Sequence, residues 1–259
     1  MRIATWNVNS VKAREERLLA WLERHGHDVV CLQELKLETE KFPLAAVHRL
    51  GYEAVVLGQR TYNGVAILSR TPLDDVQCGF ADDDADTQAR FIAATTRDVR
   101  IMSAYVPNGQ AVGSEKFAYK LRWLERLGRF LTARVRADQP AALCGDFNVA
   151  PEAIDVHDPA AWEGHVLCSP EERAALARAV DGRLVDVVRR LSPEVRMFSW
   201  WDYRQLAFPK NHGLRIDHIF VTPALAARAT AAGIDREARK GKLPSDHAPV
   251  WVAFDEGSS

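Results

Sequence analysis

The segment "AALCGDFNV", residues 141–149, is a short apolar run that ends in an acid and an amide, Asp146 and Asn148. Such a run, bounded by polar and turn-forming residues, is typical of a buried strand. Runs of the same kind recur along the chain: "RIATWNV" at 2–8, "DVVCLQE" at 28–34, "GVAILSR" at 64–70, "RIMSAYVPN" at 100–108, "RIDHIFVT" at 215–222 and "PVWVAF" at 249–254. We interpret all of these runs as strands.

Helical patterns lie between several of these strands. The candidate helices cover residues 11–25 before Gly26, residues 114–136 behind Ser114, and a segment that starts at the capping box of residues 169–172. No repeat or linker divides the alternation of strands and helices. The sequence therefore predicts a single α/β domain over residues 1–259, with a core to about residue 254 and a short polar C-terminal tail. Two polar loops, 82–88 and 203–213, are long enough to reach a ligand.

Composition argues against a membrane protein and leaves a nucleic-acid partner open. The chain is 47% hydrophobic and 27% charged, and no apolar run approaches the roughly 20 residues of a membrane span. Residues 1–8 lack the pattern of a secretory signal, so we expect a cytoplasmic protein. The net charge of −1 argues against DNA binding, yet positive charge concentrates in residues 116–136 and 236–242 and could contact phosphates. A solvated helix face explains 116–136 equally well.

Polar residues border strand after strand. They are Asn7, Glu34, Tyr105, Asp146, Asn148, Asp217, Asp246 and His247. Each one alone has an ordinary explanation, because Asn, Asp and Glu often terminate strands or form turns. A sheet, however, brings neighbouring strand ends together, so we expect these side chains to meet in one crevice.

A crevice of this composition offers hard oxygen donors and no thiolate. Carboxylate and amide oxygens suit Mg²⁺ or Mn²⁺ rather than a structural zinc. Because magnesium keeps several waters, only one or two carboxylates are expected to bind it directly. Glu34 is the first choice, with Asn7 or Asp246 beside it.

Two histidines could perform acid–base chemistry, His218 and His247. His218 follows Asp217 in a strand, so the two side chains should point to opposite faces. His247 is the better candidate, because Asp217 could accept a hydrogen bond from its ring and fix its tautomer. No serine or cysteine stands in a nucleophile motif, so we expect water to be the nucleophile.

Eight motifs, in order from residue 3 to about 254, carry a family resemblance: "WNVNS", "CLQELK", "YNGVAILSR", "AYVPNG", "GDFNVAPEAIDV", "FSWWDYR", "GLRIDHI" and "PSDHAPVW". Together they resemble the exonuclease III family of apurinic/apyrimidinic endonucleases, within the metal-dependent endonuclease/exonuclease/phosphatase superfamily. The resemblance implies a four-layer α/β sandwich, in which two packed, mostly antiparallel mixed sheets are flanked by helices. It also implies a metal-activated water, with Mg²⁺ or Mn²⁺ as the expected cofactor. The sequence leaves the oligomeric state open, and a monomer fits an enzyme that clasps a duplex.

The implied activity is hydrolysis of double-stranded DNA phosphodiesters in base excision repair: apurinic/apyrimidinic endonuclease, 3′-to-5′ exonuclease of the exodeoxyribonuclease III type, and 3′-phosphatase/phosphodiesterase. Glu34 and Asn7 match the family's metal-site residues, and Asp246 matches an acid near that site, so these three are the expected metal residues. By the same resemblance, Asp146 positions or deprotonates the attacking water, Asn148 holds the scissile phosphate, and Tyr105 contacts it. His247, oriented by Asp217, binds the phosphate or acts as the base, and the sequence leaves both roles open.

Substrate contacts follow from the same resemblance. Trp200, with Leu214 and Ile216, would line an apolar pocket for an extruded deoxyribose that lacks its base. The neighbouring aromatics of "FSWWDYR" could instead belong to the edge of the core. Contacts to the DNA backbone are expected from Tyr62, Asn63, Lys36, Asn108 and Arg215.

Two alternatives keep this fold and change the function. One is a phosphoesterase that acts on RNA, an inositol phosphate or a sphingolipid. The other is a catalytically inactive, regulatory nucleic-acid-binding member of the superfamily. The second alternative is disfavoured because the candidate catalytic acids and His247 are all present in the sequence.

Overall fold

The computed structural model describes residues 1–82 and 85–255. Its strands are β1 Arg2–Asn7, β2 Val29–Gln33, β3 Glu53–Leu57, β4 Val65–Ser69, β5 Asp74–Cys78, β6 Phe91–Thr96, β7 Val99–Tyr105, β8 Ala141–Asp146, β9 Val185–Asp186, β10 Asp217–Val221, β11 Ala229–Ile234 and β12 Val250–Phe254. Its α-helices are α1 Val11–His25, α2 Leu44–Arg49, α3 Glu115–Arg134, α4 Pro159–Trp162, α5 Pro170–Val180, α6 Val187–Leu191, α7 Ala207–Lys210 and α8 Pro223–Ala226. Short 3₁₀ helices cover Thr39–Lys41, Ala153–Asp155 and Arg236–Arg239.

The strands form two mixed sheets, each of six strands within the described part of the chain. The first sheet has the order β11-β12-β1-β2-β4-β3, and the second has the order β5-β6-β7-β8-β10-β9. Each sheet contains one parallel pair, β1 with β2 and β7 with β8, and its other described pairs are antiparallel. The mostly antiparallel mixed sheets implied by the resemblance are therefore confirmed.

The two sheets pack face to face, and helices cover their outer faces. Along β1 the side chains alternate as a strand requires: Ile3 enters the core between the sheets, and Ala4 packs beneath Leu18 of α1. On the other side, Leu127 of α3 and Leu176 of α5 join the core that covers the second sheet. This arrangement of helix, sheet, sheet and helix is the four-layer sandwich that was expected.

The capping residues predicted for the helices are confirmed. Ser114 accepts a hydrogen bond from the backbone N–H of Phe117 at 3.1 Å, and Gly26 has the left-handed φ of 57° that ends α1. Ser169 and Glu172 cap α5 reciprocally. Helix α3 ends at Arg134, two residues before the expected limit of 136, because Val135 is already extended.

Five strands lie outside the runs from which strands were predicted: β3, β5, β6, β9 and β11. Four of these, all except β6, are at the edges of the sheets, where a strand needs less apolar burial. β5, with sequence "DDVQC", and β11, with sequence "ATAAGI", show why the apolar pattern fails there. Residues 83 and 84 of the predicted loop 82–88, and residues 256–259 of the predicted tail, lie outside the described residues.

The two ends of the described chain meet in the first sheet. β12 inserts between β11 and β1 and pairs with β1 in the antiparallel sense. The backbone of Met1 and that of Phe254 exchange two hydrogen bonds, at 2.8 and 2.7 Å. None of the described helices combines the length and the apolar character required to cross a lipid bilayer.

Candidate active site

The polar residues that border the strands converge at one end of the sandwich. The parallel pairs β1 with β2 and β7 with β8 place their C-terminal ends there, and β10 and β12 run in the opposite sense and begin there. In the second sheet, Tyr105 and Asp217 are both direct cross-strand partners of Asp146. The topology thus collects strand ends and strand beginnings in one crevice.

Asp146 occupies the centre of this crevice and is 1% exposed. Its Oδ2 accepts hydrogen bonds from the amide of Asn7 at 2.9 Å and from the amide of Asn148 at 3.3 Å. Its Oδ1 accepts the backbone N–H of Asn148 at 2.9 Å. Burial raises the pKa of Asp146 to about 7, and the nearby Asp217 and Glu34 carboxylates add to this effect while His247 opposes it. Asp146 is therefore able to take up a proton near neutral pH.

His247 lies between two carboxylates. Its Nδ1 is 2.8 Å from Asp217 Oδ2, and its Nε2 is 3.8 Å from Asp146 Oδ2. Burial alone would lower the pKa of the imidazole, but the charges of Asp217 and Asp146 outweigh burial and raise the pKa to about 10. The geometry therefore favours a positively charged imidazolium with Nε2–H aimed at the centre of the crevice.

A hydrogen-bonded series connects Glu34 to the rim of the crevice. Glu34 Oε2 is 2.8 Å from Lys36 Nζ, which is 2.6 Å from Asn9 Oδ1. Asn9 Nδ2 lies 2.8 Å from Asp246 Oδ1, and Asp246 Oδ2 accepts the indole N–H of Trp200 at 3.0 Å. Burial raises the pKa of Glu34, but Lys36 and the Asn7 amide outweigh it, so this carboxyl has a lowered pKa and stays ionised.

Several residues of the crevice have a backbone that L-amino acids adopt rarely. Glu34, Asn63 and Asn148 have φ values of 52°, 58° and 49°. The left-handed region costs a residue such as Glu34 about 1 kcal/mol or more, whereas asparagine adopts it more readily. These turns aim the side chains that follow β2 and β8 back across the strand ends.

The donor set fits a hard divalent cation. Glu34, Asp146 and His247 place one side-chain atom each within 4.8 Å of one another, and because His247 is protonated here, the two carboxylates are the members of this group that could bind a metal. In this arrangement Asn7 directs its NH₂ group at Glu34 and Asp146, at 2.8 and 2.9 Å, and therefore holds the two carboxylates together instead of presenting an oxygen to a metal. Asp246 is bonded to Asn9 and Trp200 and lies outside the group of three. Glu34 is thus the predicted ligand that the geometry places best.

A cleft of about 870 Å³ opens beside Glu34 and Tyr105. Three residues predicted to contact DNA line it, namely Tyr62, Asn63 and Asn108. Burial, together with the Glu34 and Asp146 carboxylates, raises the pKa of Tyr105 well above its ordinary value, so its hydroxyl remains a hydrogen-bond donor. The cleft therefore presents neutral donors, exposed aromatic surface and the basic side chains of Arg90 and Lys116 next to the acidic centre.

The aromatic block "FSWWDYR" separates into three roles. Trp200 packs with Leu214 and Ile216 in a small apolar cluster beside the crevice, and a β-bridge joins Trp200 to both Leu214 and His247. Trp201 is 0% exposed and belongs to the core. Tyr203 is 51% exposed, and the Arg239 guanidinium lies 4.9 Å from the centre of its ring. The basic segment 236–242 therefore flanks the site beside Tyr203.

Arg215 requires a correction. It is 1% exposed, and its guanidinium bonds Asp155 and Asp186, each at 2.7 Å. A side chain held in this way cannot reach a DNA backbone, which contradicts its predicted contact. His218 also faces this buried network, with Nδ1 at 3.0 Å from Arg215 Nη1, and so points away from Asp217 as expected.

Sequence reasoning missed four polar residues that support the site: Asn9, Lys120, Ser199 and Ser245. Ser245 Oγ donates to Asn7 O at 2.7 Å and accepts the backbone N–H of His247 at 3.1 Å. Ser199 Oγ accepts the backbone N–H of Asp217 at 3.0 Å. A signal existed for Lys120, because it lies on the apolar face of α3 at helical spacing from Phe117 and Leu124.

Comparisons with known proteins agree with this geometry. The sequence matches the model of the Endonuclease/Exonuclease/phosphatase family over residues 4–247. It is 35% identical over 266 residues to the Exodeoxyribonuclease III of Haemophilus influenzae, which covers 98% of this chain and 100% of that protein. The fold matches that of an AP endonuclease from Archaeoglobus fulgidus with a TM-score of 0.95 at 39% identity, over 99% of this chain and 100% of that one. It also matches the 3′ phosphatase NExo from Neisseria bound to a product DNA hairpin, with a TM-score of 0.95 at 42% identity and the same coverage.

Proposed function

Because the chain belongs to the endonuclease/exonuclease/phosphatase family, we propose that this hydrolase is a DNA-repair nuclease that attacks phosphodiesters with an activated water. The activities proposed are incision at abasic sites, 3′-to-5′ exonuclease and removal of 3′-phosphates from duplex DNA. The observation that carries the proposal is the crevice in which Asp146 lies between His247 and the amides of Asn7 and Asn148. The relatives named an exodeoxyribonuclease, an AP endonuclease and a 3′ phosphatase support it.

Asp146 is the residue best placed to handle the attacking water. Its Oδ2 faces the crevice, and its pKa of about 7 matches a group that accepts a proton near neutral pH. Asn7 and Asn148 fix the carboxylate through three hydrogen bonds, so its orientation is set before a substrate arrives. We assign to Asp146 the positioning and deprotonation of water.

His247 acts as a charged phosphate ligand in this proposal. Its Nδ1–H is bound to Asp217, which leaves Nε2–H free to donate to a phosphoryl oxygen. An imidazolium flanked by two carboxylates keeps its proton, so it can offset the charge that develops on the phosphorus oxygens. Of the two roles that the sequence left open, the geometry favours this one over the base.

A divalent cation, Mg²⁺ or Mn²⁺, completes the proposal. Glu34 would hold it, with Asp146 within reach and Asp246 at the rim. When bound, the cation would lower the pKa of a coordinated water and neutralise phosphate charge. Lys36 Nζ, at 2.8 Å from Glu34, already balances part of the charge of this carboxylate.

Substrate selection is proposed to come from the two sides of the crevice. Tyr62, Asn63 and Asn108 would follow the DNA backbone along the cleft. On the other side, Trp200 above Leu214 and Ile216 would receive a deoxyribose that lacks its base. An abasic nucleotide is cheaper to extrude than a paired one, which gives a physical source of selectivity.

The test is incubation of the protein with a labelled duplex that contains one abasic site, with Mg²⁺, Mn²⁺ or a chelator. We expect metal-dependent incision beside the abasic site, and loss of incision in the chelated sample. Parallel substrates with a 3′-phosphate and with a blunt 3′ end test the other two activities. Cleavage of RNA, an inositol phosphate or a sphingolipid without cleavage of the duplex would instead select the alternative substrates.

The variant that tests the role of Asp146 is Asp146→Asn, which keeps the volume of the side chain and removes its ability to take up a proton. Full activity of this variant would contradict the role of Asp146.

We further propose that residues 1–259 form one domain that acts as a cytoplasmic monomer. Sedimentation of the protein with and without duplex would reveal an oligomer if one forms.

A further inference from the structure

One lysine of α3 is completely buried. Lys120 is 0% exposed, as is its partner Glu172 near the start of α5. A buried charge is tolerated when it is paired and its hydrogen bonds are satisfied, and removing one partner of such a pair is strongly destabilising. A lysine at this position therefore needs an explanation, because the neighbouring inward positions of α3, Phe117 and Leu124, are apolar.

The ammonium group of Lys120 meets an acceptor for each of its three N–H donors. One acceptor is the carboxylate of Glu172. The other two are backbone carbonyl oxygens, Asn148 O at 2.6 Å and Asn108 O at 3.1 Å. Glu172 is fixed in turn, because its Oε1 accepts the backbone N–H and the hydroxyl of Ser169, both at 2.8 Å. The ion pair is thus anchored to the start of α5.

Both carbonyls belong to asparagines whose side chains meet at the crevice. Asn108 Nδ2 donates to Asn148 Oδ1 at 3.2 Å, and Asn148 Nδ2 lies 3.3 Å from Asp146 Oδ2. The two asparagines come from different loops, one after β7 and one after β8. Lys120 therefore joins the backbones of these loops behind the amides that face Asp146, and it acts beside the bond from Asn148 Nδ2 to Val106 O at 3.0 Å.

The loop after β7 packs closely against this lysine. Gly109 has a φ of 92°, and a Cβ atom there would lie 3.1 Å from Lys120 Cδ and 3.3 Å from Phe117. Asn148 has a left-handed φ of 49°, a conformation that asparagine adopts more readily than most residues. The hydrogen bond from Lys120 to Asn148 O holds the carbonyl of this turn in place.

We propose that Lys120, held by Glu172, is a positioning residue that fixes the amide of Asn148 beside Asp146. The inference rests on the proposed function, in which Asn148 holds the scissile phosphate. Lys120 acts through the backbone of Asn148, because its ammonium is fully occupied and has no exposed surface. Removing Lys120 should leave every crevice side chain chemically unchanged. It should let the Asn148 amide adopt several orientations.

The test is the double variant Lys120→Met/Glu172→Gln, which removes both charges together and keeps an oxygen at 172 to cap α5. We expect kcat on the abasic duplex to fall about 10- to 100-fold, with KM changed by less than about threefold. In an Asn148→Ala background the same double variant should cost less than about threefold more, since Lys120 acts through Asn148. Full activity of the double variant, or effects that multiply with those of Asn148→Ala, would overturn the proposal.

Arg178→Met is the control, because it removes a positive charge from the exposed face of α5, the helix that carries Glu172. It should leave kcat unchanged. If the methionine variant fails to fold, Lys120→Gln/Glu172→Gln gives the same test, because a single amide cannot bond all three acceptors. A wild-type protein that cleaves no duplex would refute the proposed function itself, whereas an active wild type with an equally active double variant would refute only the role of Lys120.

Discussion

Replacing Asp217 by asparagine should remove the counter-ion of His247 and leave the fold intact. Asp217 Oδ2 lies 2.8 Å from His247 Nδ1, and both side chains are buried. Asparagine has nearly the same volume, and its amide oxygen can still accept the Nδ1–H. The substitution therefore removes a negative charge and changes little else.

The expected size of the effect follows from the separation of the two charges. Delocalised charges about 4 Å apart interact by about 4 kcal/mol at an effective dielectric constant of about 20. Because about 1.4 kcal/mol corresponds to one pKa unit, the loss of this charge should lower the pKa of His247 by about two to three units. The pKa would then fall from about 10 to about 7 or 8.

The assay is the pH dependence of kcat between about pH 6 and pH 10 on the abasic duplex, together with an NMR titration of the His247 ring. The wild type should keep its imidazolium over most of this range, whereas Asp217→Asn should lose activity as the pH rises above about 7 or 8. The raised pKa also stabilises the wild-type fold. That contribution is complete below the ordinary histidine pKa of 6.5 and is lost as the pH rises through about 10.

Asp138→Asn is the matched control, because Asp138 is an exposed aspartate that bonds Arg136 before the start of β8, and Asp146 lies at the other end of that strand. It should leave the pH profile unchanged. A wild-type profile and an unshifted His247 titration in Asp217→Asn would refute the conclusion that Asp217 keeps this histidine charged.

Three further predictions follow from the site and its supports. Asp146→Asn should lower kcat at least about 10²-fold, and Lys36→Ala should lower it less, as measured by single-turnover cleavage. Glu34→Gln should weaken Mn²⁺ binding at least about tenfold in calorimetric titration, because it removes a charged oxygen ligand. Gly213→Ala should lower the free energy of unfolding by about 1–3 kcal/mol in urea, because the added Cβ would lie 2.5 Å from Trp201 Nε1.

Each of these has a contradicting outcome. Equal losses for Asp146→Asn and Lys36→Ala would remove the distinction between the group that handles water and a group at its side. Unchanged Mn²⁺ affinity in Glu34→Gln would place the cation elsewhere. An unaltered urea midpoint for Gly213→Ala would mean that the backbone yields at the turn before β10.

Much of the crevice could be predicted because its residues border apolar runs that any sheet must bring together. The direction in which each strand runs in its sheet could not be predicted from these apolar runs. Asp146 comes at the end of β8, whereas Asp217 begins β10, and only the antiparallel pairing of these strands places the two side by side. The apolar pattern describes residues that are neighbours in sequence, whereas the contact between Asp146 and Asp217 joins strands that are distant in sequence.

Supporting residues were harder to predict because their partners are backbone atoms or distant loops. Ser245 bonds Asn7 O across 238 positions of sequence, and no pattern in either segment predicts that contact. Arg215 was misassigned for a related reason: an arginine beside site residues suggests phosphate binding, and only its burial against Asp155 and Asp186 shows that it serves the interior.

The position of β12 between β11 and β1 has a consequence for biosynthesis. His247 precedes β12, and its backbone carbonyl accepts the indole N–H of Trp6 at 3.2 Å, so the crevice joins residues that lie 241 positions apart and that a ribosome makes at different times. A chain whose synthesis has not reached residue 247 lacks both β12, which pairs with β1, and the imidazole that faces Asp146. Incompletely synthesised chains should therefore be unable to cut DNA. Proteolytic removal of β12 from the folded protein should abolish cleavage in the same way.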